Sequence, residues 1–217
     1  VTYRTNPPDA ARTIKGLRDM GYDFNTATAD IIDNSITADA KDIKVQIALA
    51  RDGTKTVFFG DNGHGMNPDE LFAATTYGAS QKAQKSLSKF GLGLKTASTS
   101  ICKRVSLISR RAEGSELRKC FWDLDVVEKK NEWLTGEAAA SAAEKKRFKE
   151  LCGNHGTLVC WEKCDRLLTK TYKDPGGQPE QRAIQTLTDR LMTHLSLVYQ
   201  RFLDKNDTRE NAVEISV

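Results

Sequence analysis

The sequence lacks the cysteine patterns of an extracellular or zinc-binding protein. It has no CxxC pair, and an odd number of cysteines does not make a disulfide framework. Cys160 and Cys164 are close in sequence, but no second cysteine pair completes a zinc site. We therefore expect reduced thiols, and a reducing compartment, for Cys102, Cys120, Cys152, Cys160 and Cys164.

Long apolar runs are also absent, which argues against a membrane partner. The N-terminal stretch "VTYRTNPPDAARTIKGL" has no signal-peptide core, so we expect a cytoplasmic protein. The chain begins at Val1 without a methionine and ends in "AVEISV", which resembles a strand cut short. We therefore expect a fragment of a longer protein.

The sequence has no strong excess of charge of one sign. Its net charge is +4, and its basic residues are scattered apart from short runs such as "KKR" at 145–147. This balance permits contact with nucleic acid but does not argue for it, because a solvated charged face is the more frequent explanation.

Hydrophobic spacing and turn residues predict alternating helices and strands. Helices are predicted near 9–20, over "FNTATADIIDNSITADA" with Asn25 as N-cap, over "PDELFAATT", over "LGLKTASTSIC" and over the alanine-rich "GEAAASAAEKKRFKELCG". A hairpin is predicted from "DIKVQIALA" to Asp61, and further strands at "KRVSLISRR", "ELRKCFWDLDV" and "GTLVCWE". The stretch "YGASQKAQKSLSKFGLGLK" is predicted to be a mobile loop.

These elements predict an α+β fold: a two-layer α/β sandwich with a mixed, mostly antiparallel sheet and helices on one face. Residues 1–168 form the main predicted domain. A Pro/Gly-rich linker at 169–179 follows, and a long helix with an apolar stripe from Ile184 to Phe202 begins a second region at 180–217.

Two glycine-rich segments and one helix face carry the chemistry. Asp61 ends a strand, and Gly63 and Gly65 let the backbone approach a flat ligand, while a buried carboxylate accepts a hydrogen bond from an amine such as that of adenine. Gly91 and Gly93 directly precede a helix, whose free N–H groups hold phosphates.

The stretch "ADIIDNS" places Asp30 and Asn34 one helical turn apart on the same face. An amide oxygen suits Mg²⁺ that bridges phosphates, and a nearby carboxylate orients or deprotonates a water. The pair therefore indicates phosphoryl transfer, for which Lys95 adds a positive charge.

The series "DIIDNS", "DNGHGM", "YGASQK", "KFGLGLK" and "HGTLV", in this order, resembles the GHKL ATPases, which share the Bergerat ATP-binding fold. This superfamily contains the gyrase B subunit, MutL, heat-shock chaperone ATPases, histidine kinases and MORC proteins. Within the superfamily, the motif sequences "YGASQK" and "FGLGLKTAS" most resemble those of MORC-like and prokaryotic defence-associated ATPases.

The resemblance implies ATP and Mg²⁺ as ligands, with Asn34 on the metal, Asp30 and Lys95 as catalytic residues, and residues 67–90 as a lid. It also implies an ATP-dependent homodimer, with DNA as a candidate partner of the larger protein and phage defence as a candidate setting. The residues that it places at the nucleotide are Asn34, Asp61, Gly63, Gly65, Met66, Ser80, Lys82, Gly91, Leu92, Gly93, Leu94, Lys95, Thr96 and Thr157.

Two positions depart from the family pattern. ATP-hydrolysing members usually carry glutamate where Asp30 stands, and an aspartate is common where Thr37 stands. An aspartate is shorter by one C–C bond, about 1.5 Å at most. Because a misplacement of roughly 1 Å costs on the order of a hundredfold in rate, slow turnover is expected.

Two other hypotheses remain open. A nucleotide-binding switch that hydrolyses nothing is compatible with the short side chain of Asp30. A histidine-kinase-type catalytic domain is less favoured, because His194 lacks the acidic neighbour of a phosphoacceptor and His64 and His155 lie in predicted loops.

Overall fold

The computed structural model describes residues 1–19, 21–76, 93–207 and 209–217. Its helices within these ranges are α1 (Ala10–Arg18), α2 (Phe24–Thr37), α3 (Pro68–Thr75), α4 (Gly93–Ile101), α5 (Leu124–Lys130), α6 (Ala142–Cys152), α7 (Gln178–Val198) and α8 (Gln200–Leu203). Its strands there are β1 (Asp42–Leu49), β2 (Lys55–Asp61), β3 (Arg104–Arg110), β4 (Arg118–Asp123), β5 (Gly136–Ala139), β6 (Gly156–Glu162) and β7 (Glu214–Ser216).

The seven strands form one mixed sheet in the order β5-β4-β3-β6-β2-β1-β7. All neighbours are antiparallel except β1 and β7, which are parallel. The predicted hairpin is β1 and β2, and the predicted α+β sandwich with a mostly antiparallel sheet is confirmed. The register places Asp61 beside Thr157, and Thr157 beside Ser109 on the next strand.

Helices cover both faces of this sheet. Val159 and Trp161 of β6 belong to the main core, which they share with α2 and α4. Leu158 and Cys160 point to the opposite face, where they pack with Phe148 of α6. Helix α6 is therefore an addition to the expected single helical layer, and the continuous apolar run of β6 is typical of a strand buried on both faces.

Three local predictions need correction. The strand predicted over "ELRKCFWDLDV" ends at Asp123, because the Asp123 side chain accepts from the Asp125 N–H and caps helix α5 there. Asp23, not Asn25, caps α2, because Asp23 is still extended and its side chain accepts from the Thr26 N–H at 2.8 Å. The alanine-rich segment is not one helix: Gly136–Ala139 pair with β4 as strand β5, and Ser141 then begins α6 with a capping box to Glu144. Pairing with the β4 edge overrides the helix propensity of alanine there.

The C-terminal segment packs on the same sheet. Helix α7 contacts α2 and β1, and Leu191, Leu195 and Tyr199 belong to the main core. Strand β7 then pairs with β1. The boundary that the sequence predicts at residues 169–179 stays a prediction.

All five cysteines are described, buried and unpaired, as expected for reduced thiols. Across the described ranges, none of the helices has the length and apolarity needed to cross a membrane.

Candidate functional site

Asp61, the last residue of β2, is a buried carboxylate at the centre of the site. It is 5% exposed, and its Oδ1 accepts from the Gly63 N–H at 2.9 Å while its Oδ2 accepts from the Ser35 hydroxyl at 3.2 Å. Burial raises the pKa of Asp61, and these hydrogen bonds act in the opposite direction. Each carboxylate oxygen can accept a further hydrogen bond, so the group can still bind an amine.

The glycines after Asp61 are required by contacts within the protein. A Cβ on Gly63 would lie 2.6 Å from the Ala38 carbonyl oxygen, and a Cβ on Gly65, whose φ is +61°, would lie 2.2 Å from that of Arg110. The Ala38 carbonyl also accepts from the His64 N–H at 2.9 Å. The loop is therefore held closely against the end of α2 and the end of β3.

Ser109 of β3 connects two predicted site residues, Met66 and Thr157, and was itself not predicted from sequence. Its Oγ accepts from the Met66 N–H at 2.9 Å, lies 2.9 Å from Thr157 Oγ1, and donates to the Gly156 carbonyl at 2.8 Å. It thereby joins Met66 to Thr157, the register partner of Asp61. Its one sequence signal is a serine inside the apolar strand "RVSLISR".

Asp30 and Asn34 share a face of α2, as the sequence predicted. Asn34 Nδ2 donates to the Asp30 carbonyl at 2.6 Å, and no described residue donates to Asn34 Oδ1. Burial raises the pKa of the Asp30 carboxyl, and the negative charge of Asp33 raises it further. The Tyr22 hydroxyl donates a hydrogen bond to Asp30 and acts in the opposite direction. Tyr22 was not predicted, because nothing in its local sequence indicates this contact.

Ser35 joins this helix face to Asp61. It follows Asn34 directly and its hydroxyl reaches Asp61, so the metal and adenine parts of the predicted site are linked through α2 and β2. Sequence reasoning did not assign Ser35, although its position in "DNS" was visible.

The start of α4 supplies the described part of the predicted phosphate cradle. Gly93 is the first residue of the helix, Leu94 packs against the main core, and Thr96 is buried. Lys95 Nζ donates to the carbonyl of Thr76, just after α3, and burial lowers its pKa to about 8. The predicted residues Ser80, Lys82, Gly91 and Leu92 lie outside the described residues.

The arrangement fits the two groups that the sequence predicts. The described residues contain no cluster of three or more His, Cys, Asp or Glu side chains that would enclose a metal. Mg²⁺ in phosphate sites needs few protein ligands, because phosphates and waters complete its octahedron, and Asn34 Oδ1 suits this role. The remaining acceptor capacity of Asp61 suits the amino group of adenine.

Comparison with known proteins identifies the family of the chain. A sequence profile of the family described as "Histidine kinase-, DNA gyrase B-, and HSP90-like ATPase" matches residues 22–157. The chain is also similar to "ATPase morc-1" of Caenorhabditis elegans, with 28% identity over 86 residues. That match covers 40% of this chain and 10% of the relative, so the chain corresponds to a small part of it.

Proposed function

Because the chain belongs to the family of histidine kinase-, DNA gyrase B- and HSP90-like ATPases, whose domain binds ATP, we propose that it hydrolyses ATP slowly to ADP and phosphate with Mg²⁺. The observation that carries the proposal is the placement of Asp30 and Asn34 on one face of α2, which Ser35 ties to the buried carboxylate of Asp61. A relative that is named an ATPase adds support.

The proposal assigns roles to the predicted site residues that the structure describes. Asp61 accepts a hydrogen bond from the adenine amine, with Gly63, Gly65 and Met66 beside the base and Thr157 supporting that end through Ser109. Asn34 Oδ1 would hold Mg²⁺, which neutralises phosphate charge when bound. The described start of α4, from Gly93 to Thr96, supplies N–H groups for phosphate oxygens.

Asp30 is the general base of the proposed reaction. It orients a water and takes its proton while the water oxygen bonds to the terminal phosphorus and the bond from that phosphorus to ADP breaks. Its side chain is shorter than the glutamate usual in the family, so the carboxylate stands farther from that water. We therefore expect turnover well below that of a glutamate-bearing member.

Phosphate release from native protein, Asp30→Ala and Asp30→Glu tests the proposal. We expect Asp30→Ala to fall to background and Asp30→Glu to equal or exceed the native rate. Asp189→Ala, at an exposed position on α7, is the control and should keep the native rate. Equal background rates in the native protein and Asp30→Ala would remove Asp30 as the catalyst.

A nucleotide switch without hydrolysis is the second candidate, and the short side chain of Asp30 is the observation that favours it. It predicts ATP binding by the native protein with no phosphate release above background. ATP binding with clear Asp30-dependent release would exclude it.

We also propose that ATP closes the lid at residues 67–90 and dimerises this domain within a larger protein, with the region from residue 180 beginning a transducer. The family resemblance supports this, as it does DNA or phage defence as the setting. Light scattering with a non-hydrolysable ATP analogue tests closure. An unchanged molecular mass would contradict dimerisation of this chain.

A further inference from the structure

Tyr199 joins the C-terminal helix to the helix that carries Asp30 and Asn34. It lies directly after α7, is 2% exposed, and its hydroxyl is 2.7 Å from Asp33 Oδ1 and 2.9 Å from the Ala29 carbonyl oxygen. These contacts span 166 and 170 residues of sequence, so no local pattern indicates them.

The two residues that accept from Tyr199 are the direct sequence neighbours of Asp30, the proposed general base, and Asn34, the proposed metal ligand. Ala29 precedes Asp30, and Asp33 precedes Asn34, so Tyr199 holds the helical turn on which that pair stands. The next carbonyl along, that of Asp30, accepts from Asn34 Nδ2. The single hydroxyl proton of Tyr199 is shared between Asp33 Oδ1, the nearer acceptor, and the Ala29 carbonyl oxygen.

The hydroxyl is not needed to fill space. The ring of Tyr199 belongs to the main core and meets Phe202 edge-on, with ring centroids 6.2 Å apart, and a phenylalanine would keep that packing. A buried hydroxyl carries a desolvation cost unless it is hydrogen-bonded. Its contribution is thus polar and directed at α2, where it satisfies the partly buried carboxylate of Asp33.

We infer that Tyr199 is a positioning residue for the ATP site, through which the end of α7 holds Asp30 and Asn34 in place on α2. The inference rests on the proposed function for the roles of Asp30 and Asn34. It also makes the segment from residue 178 onward part of the proposed site, because the Tyr199 hydroxyl adds a directed polar contact to the apolar packing of α7 on α2.

The test compares Tyr199→Phe with Phe202→Leu, which alters packing at the same junction and keeps the hydroxyl. In Tyr199→Phe we expect kcat to fall about tenfold with KM within about threefold of native, since a small misplacement of a catalytic group reduces the chemical step more than binding. The Mg²⁺ concentration that half-saturates nucleotide binding should rise. Phe202→Leu should lower the melting temperature and leave kcat and Mg²⁺ dependence unchanged.

Hydrogen–deuterium exchange of α2 in the nucleotide-free protein gives a readout that needs no activity. Faster exchange around residues 29–34 in Tyr199→Phe, but not in Phe202→Leu, supports the inference. Native exchange together with native Mg²⁺ dependence in Tyr199→Phe overturns it. A native protein that releases no phosphate overturns the proposed hydrolysis instead, and the exchange and Mg²⁺ measurements still decide the role of Tyr199.

Discussion

Ser109 and Thr157 face each other on adjacent antiparallel strands, with their hydroxyl oxygens 2.9 Å apart. Ser109 is fully buried, and it also accepts from the Met66 N–H. Thr157 in turn is the register partner of Asp61. Ser109 therefore holds Met66 and Thr157, two residues of the predicted adenine end, by hydrogen bonds. The geometry of that end depends on β3, a strand that contributes no residue to the family motifs quoted above.

Replacing Ser109 with alanine should weaken both folding and nucleotide binding. The Met66 N–H and the Gly156 carbonyl lose their partner, which costs about 1–3 kcal/mol of unfolding free energy. ATP affinity should fall by roughly tenfold, because Met66 is no longer held. Denaturant melts and nucleotide titrations check this.

The matched control is Ser106→Ala. Ser106 is also buried on β3, but its hydroxyl donates to Glu162 at 2.7 Å, away from Asp61. It should lose stability without losing ATP affinity. Equal affinity losses in both variants would mean that the effect is general destabilisation.

Asp61→Asn should weaken ATP binding by about 10- to 100-fold, because an amide N–H would face the donor amine of adenine. The same variant should narrow the preference for ATP over inosine triphosphate, which carries an oxygen in place of that amine. Binding titrations with both nucleotides measure the preference. A native protein that binds both equally would contradict the assignment of Asp61 to the adenine amine.

Gly65→Ala should destabilise the fold more than Gly114→Ala. Both glycines have positive φ, +61° and +82°, so each substitution has a backbone cost of about 1–2 kcal/mol. Gly114 has nothing within 4 Å of the added Cβ, whereas Gly65 meets the Arg110 carbonyl oxygen at 2.2 Å. Thermal melts of the two variants isolate the close contact, and equal shifts would show that the loop moves away without cost.

ATP affinity should fall as the pH rises through about 8, the pKa to which burial lowers Lys95. The ammonium is charged below that pH and supports phosphate binding, and above it the free protein must first regain a proton. The loss approaches tenfold for each further pH unit until the pKa of the complex is reached. Titrations from about pH 7 to about pH 9 measure it.

Lys95→Arg is the control, because arginine stays charged throughout this pH range. The ATP affinity of this variant should therefore not change with pH. Lys95→Met should bind weakly at every pH. A native affinity that does not change with pH would place Lys95 outside phosphate binding.

Local patterns predicted most elements, because apolar periodicity and capping residues act within a few positions along the chain. The hairpin, α3, α4, β3, β4 and β6 follow this rule. The prediction of one helix over the alanine-rich segment was wrong, because Gly136–Ala139 pair with the edge of β4. Helix propensity is a local property and carries no information about that edge. The second half of the segment is helical as predicted, but its position as α6 on the second face of the sheet was not predicted, because local patterns do not show which face a helix covers.

The sequence by itself determined the order of the motifs, the acid–amide pair of Asp30 and Asn34 on one helix face, and the family. These features depend on residue types and spacing within short segments. Tertiary structure alone decided the supports: Ser35 on Asp61, Ser109 beside Thr157 and Tyr199 on Asp33, separated by 26, 48 and 166 positions in the chain. Such contacts arise when packed elements bring distant side chains together, and their hydrogen bonds then hold the site in one geometry.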